Sequence, residues 1–175
     1  MQKKKSLFTT QSLTRVAILI SMSFLLKSFF VITLPTYRFT FYDIPLMIAG
    51  IMYGPIIGGL SGLIVDWFNI LMPNYATGFN LFTVSSMMWG IIPGLLLFGR
   101  KDLSLVRIVN TVLITSIIAF SINSYQLYLF MGSGMLAELP FRVITLVIKL
   151  PIQVALIDIL FKRVLVWNLK FAKSR

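Results

Sequence analysis

Cysteine and histidine are both absent from this chain of 175 residues. Without cysteine there is no disulfide, no thiol nucleophile and no thiolate metal site. Without histidine the chain lacks the commonest general base and the commonest transition-metal ligand. Acidic residues number only 5, and they show no paired arrangement. A Gly-x-x-x-x-Gly-Lys-Ser/Thr loop is also missing, which excludes a P-loop ATPase. The sequence therefore predicts no enzyme, no metal site and no cofactor.

Apolar residues, by contrast, are abundant along the whole chain. They make up 58% of it, with a mean hydropathy of +0.91, whereas soluble domains contain roughly 45–50% apolar residues. A single signal peptide cannot explain an excess spread over the whole length. The composition predicts an all-α, multi-pass membrane protein that forms one integral membrane domain over residues 1–175.

The net charge of +11 is distributed as a membrane topology signal. Basic residues cluster at the two chain ends and around Arg100 and Lys101 in a middle loop. Cytoplasmic loops carry such an excess of Lys and Arg. We therefore expect membrane lipid, and no nucleic acid, as the partner of these charges.

The number of spans follows from the same charges. Residues 44–72 could form one tilted span or two short ones broken at Gly54-Pro55. Only two spans place all three basic clusters on the cytoplasmic side, and Pro55 suits the first position of a new helix. The sequence thus predicts six helices with both termini in the cytoplasm, over residues 12–34, 44–54, 55–72, 79–98, 106–131 and 139–163.

The stretch "YRFTFYDIP", residues 37–45, lies on the predicted external side between helices 1 and 2. Its alternation of Tyr37, Phe39 and Phe41 with more polar residues is typical of a short strand or hairpin. We interpret it as a lid over a pocket. Arg38 either meets a ligand carboxylate or pairs with Asp43.

Four cations in the external half, Lys27, Arg38, Arg142 and Lys149, are not needed for topology. Ionisable residues within the membrane are costly and usually face a cavity or a partner. Lys27 could instead extend to the interface. Asp66 could be a counter-ion for Lys27 or Lys149, or an acceptor for a ligand.

The last predicted helix carries a polar stripe. Arg142, Lys149 and Gln153 are spaced seven and four residues apart, so they share one face. Glu138 precedes Arg142 by one helical turn and could pair with it. That pairing would leave Lys149 and Gln153 without an obvious partner.

Amide and aromatic side chains complete the candidate pocket. Asn123 and Gln126 either bond between helices or contact a ligand. Phe79, at the start of helix 4, belongs to an aromatic belt or the core, or stacks on a planar ring. The amide of Asn80 beside it is a candidate contact for the polar edge of such a ring. Excess cations, amides and aromatics together fit a small anionic ligand with a planar ring.

Small residues recur every four positions at Gly50, Gly54, Gly58 and Gly62. This spacing lets helices approach closely, so we expect internal packing here. Ala17 and Ser21 have the same spacing on helix 1, where they either pack internally or form a surface for a partner helix.

The sequence resembles the S components of energy-coupling factor (ECF) vitamin transporters, and the folate-specific branch in particular. The resemblance rests on "YRFTFYDIPLMIAGIMYGPIIGGLSGLIVDW", "GFNLFTVSSMMWGIIPGLLLFGRK", "NSYQLYLFMG" and "RVITLVIKLPIQ", which cover most of residues 37–153. It implies six helices, an external pocket for folate, and a bacterial cell membrane location.

The resemblance further implies partners: a membrane T subunit and two cytoplasmic ATPases that supply the energy. Ala17 and Ser21 match the position at which helix 1 docks the T subunit. Two alternatives are an S component for another vitamin, such as pantothenate, riboflavin or thiamin, and an autonomous channel or secondary transporter.

Overall fold

The structure, a computed structural model, describes residues 10–30, 32–33, 38–72, 78–100 and 104–173, with only the backbone of the two strands and of the chain beyond Leu160. This part of the chain contains six α-helices and one two-stranded sheet. A 3₁₀ turn, Gly132–Gly134, joins the last two helices. In chain order the elements are α1 (Thr10–Ser28), β1 (Ile32–Thr33), β2 (Arg38–Phe39), α2 (Asp43–Tyr53), α3 (Pro55–Ile70), α4 (Leu81–Leu97), α5 (Leu105–Met131) and α6 (Met135–Lys173).

The outer surface of the α5–α6 hairpin is apolar. Within the described chain, Leu105–Leu160 is long and apolar enough to cross a membrane, with a mean hydropathy of 2.2 in its best window. Helices α2, α3 and α4 are apolar but shorter. Side chains such as Ile117, Val147 and Ile148 are more than half exposed. A surface of this kind faces lipid in a membrane protein, whereas it would promote aggregation in water.

The break between α2 and α3 confirms that residues 44–72 form two helices. Gly54 adopts φ 95°, a conformation that glycine allows without the steric penalty of a side chain. Pro55 follows at the start of α3, where its missing N–H would have had no helical partner. The predicted division at Gly54-Pro55 is therefore correct.

A hairpin separates α1 from α2. The strands β1 and β2 are antiparallel, with Ile32 opposite Phe39 and Thr33 opposite Arg38. The predicted hairpin is confirmed, while its external placement stays a prediction. The span predicted over 12–34 is too long, since α1 ends at Ser28. Ile32 and Thr33 are β-branched, which favours an extended backbone over a continued helix. Tyr37 lies outside the described residues, as does the side chain of Arg38.

Helices α2, α3 and α4 pack through glycine. A Cβ atom on Gly50 would lie 2.0 Å from the carbonyl oxygen of Gly90, and one on Gly58 would lie 2.5 Å from the same oxygen. A Cβ on Gly62 would lie 2.3 Å from the oxygen of Ser86. The predicted packing role of this glycine row is confirmed, and the surface that it contacts is α4.

The remaining helices flank this trio. Helix α1 packs on α2 and α3, α5 packs on α4, and α6 packs along α5 and reaches α2. Gly132, at φ 59°, helps reverse the chain between α5 and α6. Helix α6 begins at Met135 and runs to Lys173, beyond both ends of the span predicted over 139–163. The cytoplasmic placement of both termini stays a prediction.

We expect Gly90→Ala to destabilise the fold, because its new Cβ would lie 2.1 Å from the backbone oxygen of Gly58. Overpacking of this kind lowers the free energy of unfolding by about 1–3 kcal/mol. Thermal unfolding of the detergent-solubilised protein measures the effect. Gly134→Ala is the control, since a Cβ there meets no atom within 4 Å. Equal melting temperatures for the two variants would contradict this packing account.

Candidate functional site

The polar stripe of α6 faces the interior of the helix bundle. Arg142 is 6% exposed and Gln153 is 1% exposed, and Lys149 lies between them on the same face. Glu138, at 7% exposed, extends the stripe toward the start of the helix. The shared face that the sequence predicts for Arg142, Lys149 and Gln153 is thus buried.

A carboxylate from α2 meets this stripe. Asp43 is the first residue of α2 and is completely buried. Its Oδ2 atom lies 3.0 Å from Lys149 Nζ and also accepts a hydrogen bond from Gln153 Nε2. The Lys149 ammonium lies 5.9 Å from the ring centroid of Phe41 and 5.6 Å from that of Trp89. We call these five residues the Asp43 cluster.

A second ion pair joins α1 to α3. Lys27 Nζ forms a salt bridge with Asp66 Oδ1 and donates to Ser86 Oγ at 3.0 Å. Thr83 Oγ1 donates to the other carboxylate oxygen, Oδ2. Asp66 is therefore the counter-ion of Lys27, one of the alternatives that the sequence left open. We call these four residues the Asp66 cluster.

Tyr42 connects the hairpin to the Asp66 cluster. Its backbone oxygen accepts from Ser23 Oγ at 3.0 Å, and its hydroxyl lies 3.4 Å from Ser86 Oγ. Lys27 Nζ lies 4.6 Å from the centroid of the Tyr42 ring. Because Asp43 follows directly, two adjacent residues at the foot of the hairpin belong to two different polar networks.

The start of α4 is fixed by amide side chains. Asn80 caps the helix, with its Oδ1 accepting from the Phe82 backbone N–H at 2.9 Å. Gln126 of α5 accepts from the Leu81 backbone N–H at 3.1 Å. These contacts give both amides a structural role beside the ligand contact that the sequence predicts for them, which stays a prediction.

The two remaining candidates of this group, Phe79 and Asn123, lie in different surroundings. Phe79 is 56% exposed, and its ring packs edge to face on Trp67 with centroids 5.4 Å apart. Asn123 Oδ1 is buried and has no hydrogen-bond partner in the described structure. Of the amides in the predicted site, Asn123 thus retains an acceptor that a ligand could use.

Arg142 and Glu138 form the outer part of the stripe. The guanidinium carbon of Arg142 lies 5.4 Å from the ring centroid of Phe120 on α5. Glu138 Oε2 is buried without a hydrogen-bond partner in the described structure. The pairing of these two residues, which the sequence allows, stays a prediction.

The described interior is balanced in charge, but the side chain of Arg38 lies outside the described residues, so the expected excess of cations stays a prediction. Its cations are Lys27, Arg142 and Lys149, and its carboxylates are Asp43, Asp66 and Glu138. The carboxylates compensate the charges of the cations, since an uncompensated buried charge would be strongly destabilising. The sequence pattern suggested Asp43 only as a partner of Arg38 and did not indicate its place in the interior. The available signal was an acidic residue in the first turn of a short apolar helix.

A shallow apolar groove lies between α1 and α3. It has a volume of about 200 Å³ and includes Ala17 and Ser61 among its lining residues. Ala17 and Ser21 are both exposed, and Ser21 Oγ donates to the Ala17 backbone oxygen at 2.9 Å. The small residues of α1 therefore lie on an open surface rather than in internal packing.

The fold and these buried charges define a helical membrane protein with a charged, aromatic interior. A family model described as the ECF transporter substrate-specific component matches residues 11–170. The chain belongs to this family of integral membrane proteins. It is therefore a substrate-binding component of a transporter, and its lack of enzymatic activity follows from that role.

Individual relatives support the same assignment. The chain is 25% identical to the folate transporter FolT of Clostridium novyi (strain NT) over 143 residues, which is 81% of this chain and 83% of that protein. A crystal structure of FolT bound with folic acid matches with a TM-score of 0.78 and 24% identity, over 89% of this chain and 95% of the other. The S component of a bacterial ECF transporter matches with a TM-score of 0.66 and 17% identity, over 89% and 96%. The fold is that of an S component, as the sequence predicts.

We expect Lys27→Met to lower the free energy of unfolding by about 3 kcal/mol, because it leaves the Asp66 carboxylate buried without its cation. The double variant Lys27→Met/Asp66→Asn should recover much of this loss, because the remaining amide is neutral and can still bond to Thr83. Thermal unfolding of ligand-free protein in detergent measures both effects. If the double variant lost as much free energy of unfolding as the two single variants together, the result would contradict the pairing.

Proposed function

We propose that this protein is a folate-binding S component that captures folate outside a bacterial cell and delivers it inward. The observation that carries the proposal is its similarity to the curated folate transporter along most of both chains. Folate is the transported cargo in this proposal, and the protein needs no cofactor of its own.

The chemistry of the described interior supports this ligand. Folate has a flat pterin ring with a polar edge and a glutamate tail with two carboxylates. Phe41 and Trp89 offer aromatic faces within the Asp43 cluster, and flat rings stack favourably on such faces. Buried carboxylates and amides can satisfy the ring edge, and cations can bind the tail.

The position of Arg142 suits it to the tail. It lies nearer the start of α6 than Lys149 does, and Lys149 is already paired with Asp43. A guanidinium can bind a carboxylate through two parallel hydrogen bonds. We propose that Arg142, with Tyr37 and Arg38 of the stretch "YRFTFYDIP", receives the glutamate tail, and that this stretch closes over it.

Transport in this proposal requires partners. The chain carries no P-loop, so energy would come from a T subunit and two cytoplasmic ATPases. The exposed small residues on α1 and the groove beside them support a docking surface for a T-subunit helix. Small residues let membrane helices approach closely, which drives their association through packing.

We expect purified protein to bind folate saturably, and Arg142→Ala to weaken that binding by about 1.5 kcal/mol or more, as for a lost charge-assisted hydrogen bond. Calorimetry or quenching of tryptophan fluorescence measures the affinity. Arg100→Ala is the control, because Arg100 is exposed in the loop after α4.

Absence of folate binding to the unmodified protein would refute the proposed function. Another vitamin identified by mass spectrometry in the purified protein would then assign a different S component. Unchanged affinity in Arg142→Ala would refute only the proposed site for the tail.

We expect Ala17→Leu to leave folate affinity unchanged and to impair uptake into proteoliposomes that contain the T subunit and ATPases. The larger side chain would fill the surface through which a partner helix approaches. Loss of folate binding in this variant would mean that Ala17 serves internal packing. Uptake without any ATPase would instead support an autonomous transporter.

A further inference from the structure

Asp43 and Asp66 are the buried aspartates among the described residues, and they differ in one respect. Each is paired with a lysine, and each is at most 1% exposed. Both oxygens of Asp66 have partners, since Oδ1 binds Lys27 and Oδ2 accepts from Thr83. In Asp43, Lys149 and Gln153 both bind Oδ2, whereas Oδ1 is buried and has no hydrogen-bond partner in the described structure.

A buried acceptor without a partner is energetically costly. Leaving one unsatisfied forfeits the hydrogen bond that water would give it, and the loss is greater for a charged group. An ionised carboxylate accepts hydrogen bonds and donates none. The open position at Asp43 Oδ1 can therefore be satisfied only by a hydrogen-bond donor.

The surroundings of Asp43 favour a flat donor. Phe41 precedes it closely in the chain, and the rings of Phe41 and Trp89 both lie within 6 Å of the Lys149 ammonium that binds Asp43. Aromatic rings beside a carboxylate provide stacking for a planar group whose edge carries N–H donors. Lys149 and Gln153 hold the carboxylate in place by binding its other oxygen, Oδ2.

We propose that Asp43 Oδ1 accepts a hydrogen bond from the 2-amino group of the pterin ring, which is a donor on the ring edge beside N3–H. This inference rests on the proposed folate-binding function. It makes Asp43 the residue that determines specificity for the ring, with Lys149 and Gln153 as positioning residues. The carboxylate tail then extends from the ring toward Arg142.

The test compares folate with an analogue in which a methyl group replaces the 2-amino group. Wild-type protein should bind this analogue at least about 10-fold more weakly than folate, as expected for one lost charge-assisted hydrogen bond. In Asp43→Asn, the Lys149 ammonium can only donate and therefore requires the amide oxygen at the Oδ2 position, so the amide NH₂ faces the ring edge. Donor then meets donor, and the preference for folate over the analogue should disappear.

Asp66→Asn is the matched control, because it neutralises a buried, lysine-paired aspartate whose oxygens already have partners. It should keep the wild-type preference for folate, whatever its absolute affinity. If Asp43→Asn does not fold, Asp43→Leu/Lys149→Met removes both charges of the pair together with every acceptor at position 43, and it too should lose the preference.

The outcomes separate this inference from the proposed function. No binding of folate to wild-type protein refutes the proposed function. Binding of folate and the analogue with equal affinity to wild-type protein overturns the inference alone. A preference that persists in the Asp43 variants also overturns it, because Asp43 would then be only the counter-ion of Lys149.

Discussion

Helices α3 and α4 approach so closely that only glycine fits between them, and the arrangement of the other helices depends on this contact. Gly58 and Gly90 meet backbone to backbone, and Gly50 brings α2 to the same point. With no side chains between them, the three short helices form a tight central unit. The longer or more peripheral helices α1, α5 and α6 then surround this unit, and two of them carry the lysines.

Two buried ion pairs attach those outer helices to the central unit. Lys27 connects α1 to α3, and Lys149 connects α6 to α2. Replacing such pairs by apolar residues is often neutral or stabilising, so stability alone is a weak reason for them. Their convergence on the adjacent residues Tyr42 and Asp43, at the foot of the hairpin, favours a role in the binding site.

Local patterns made much of the fold predictable. Gly54-Pro55 marked the division of α2 from α3, and the alternation after Tyr37 marked the hairpin. The end of α1 was misjudged because an apolar, β-branched stretch continues a hydrophobic run equally well as helix or strand. The role of Asn80 as a helix cap was missed because the helix was predicted to begin at residue 79, although an Asn directly before an apolar run is a typical capping signal.

The sequence by itself determined the class of protein and the shared face of Arg142, Lys149 and Gln153, because hydropathy and helical spacing are local properties of the chain. Only the tertiary structure decided which side chains each acidic residue contacts. Asp43 and Gln153 are separated by 110 positions, yet their side chains bond. Such a contact depends on how α6 packs against α2, so no spacing within either helix could reveal that Asp43 keeps one buried oxygen open.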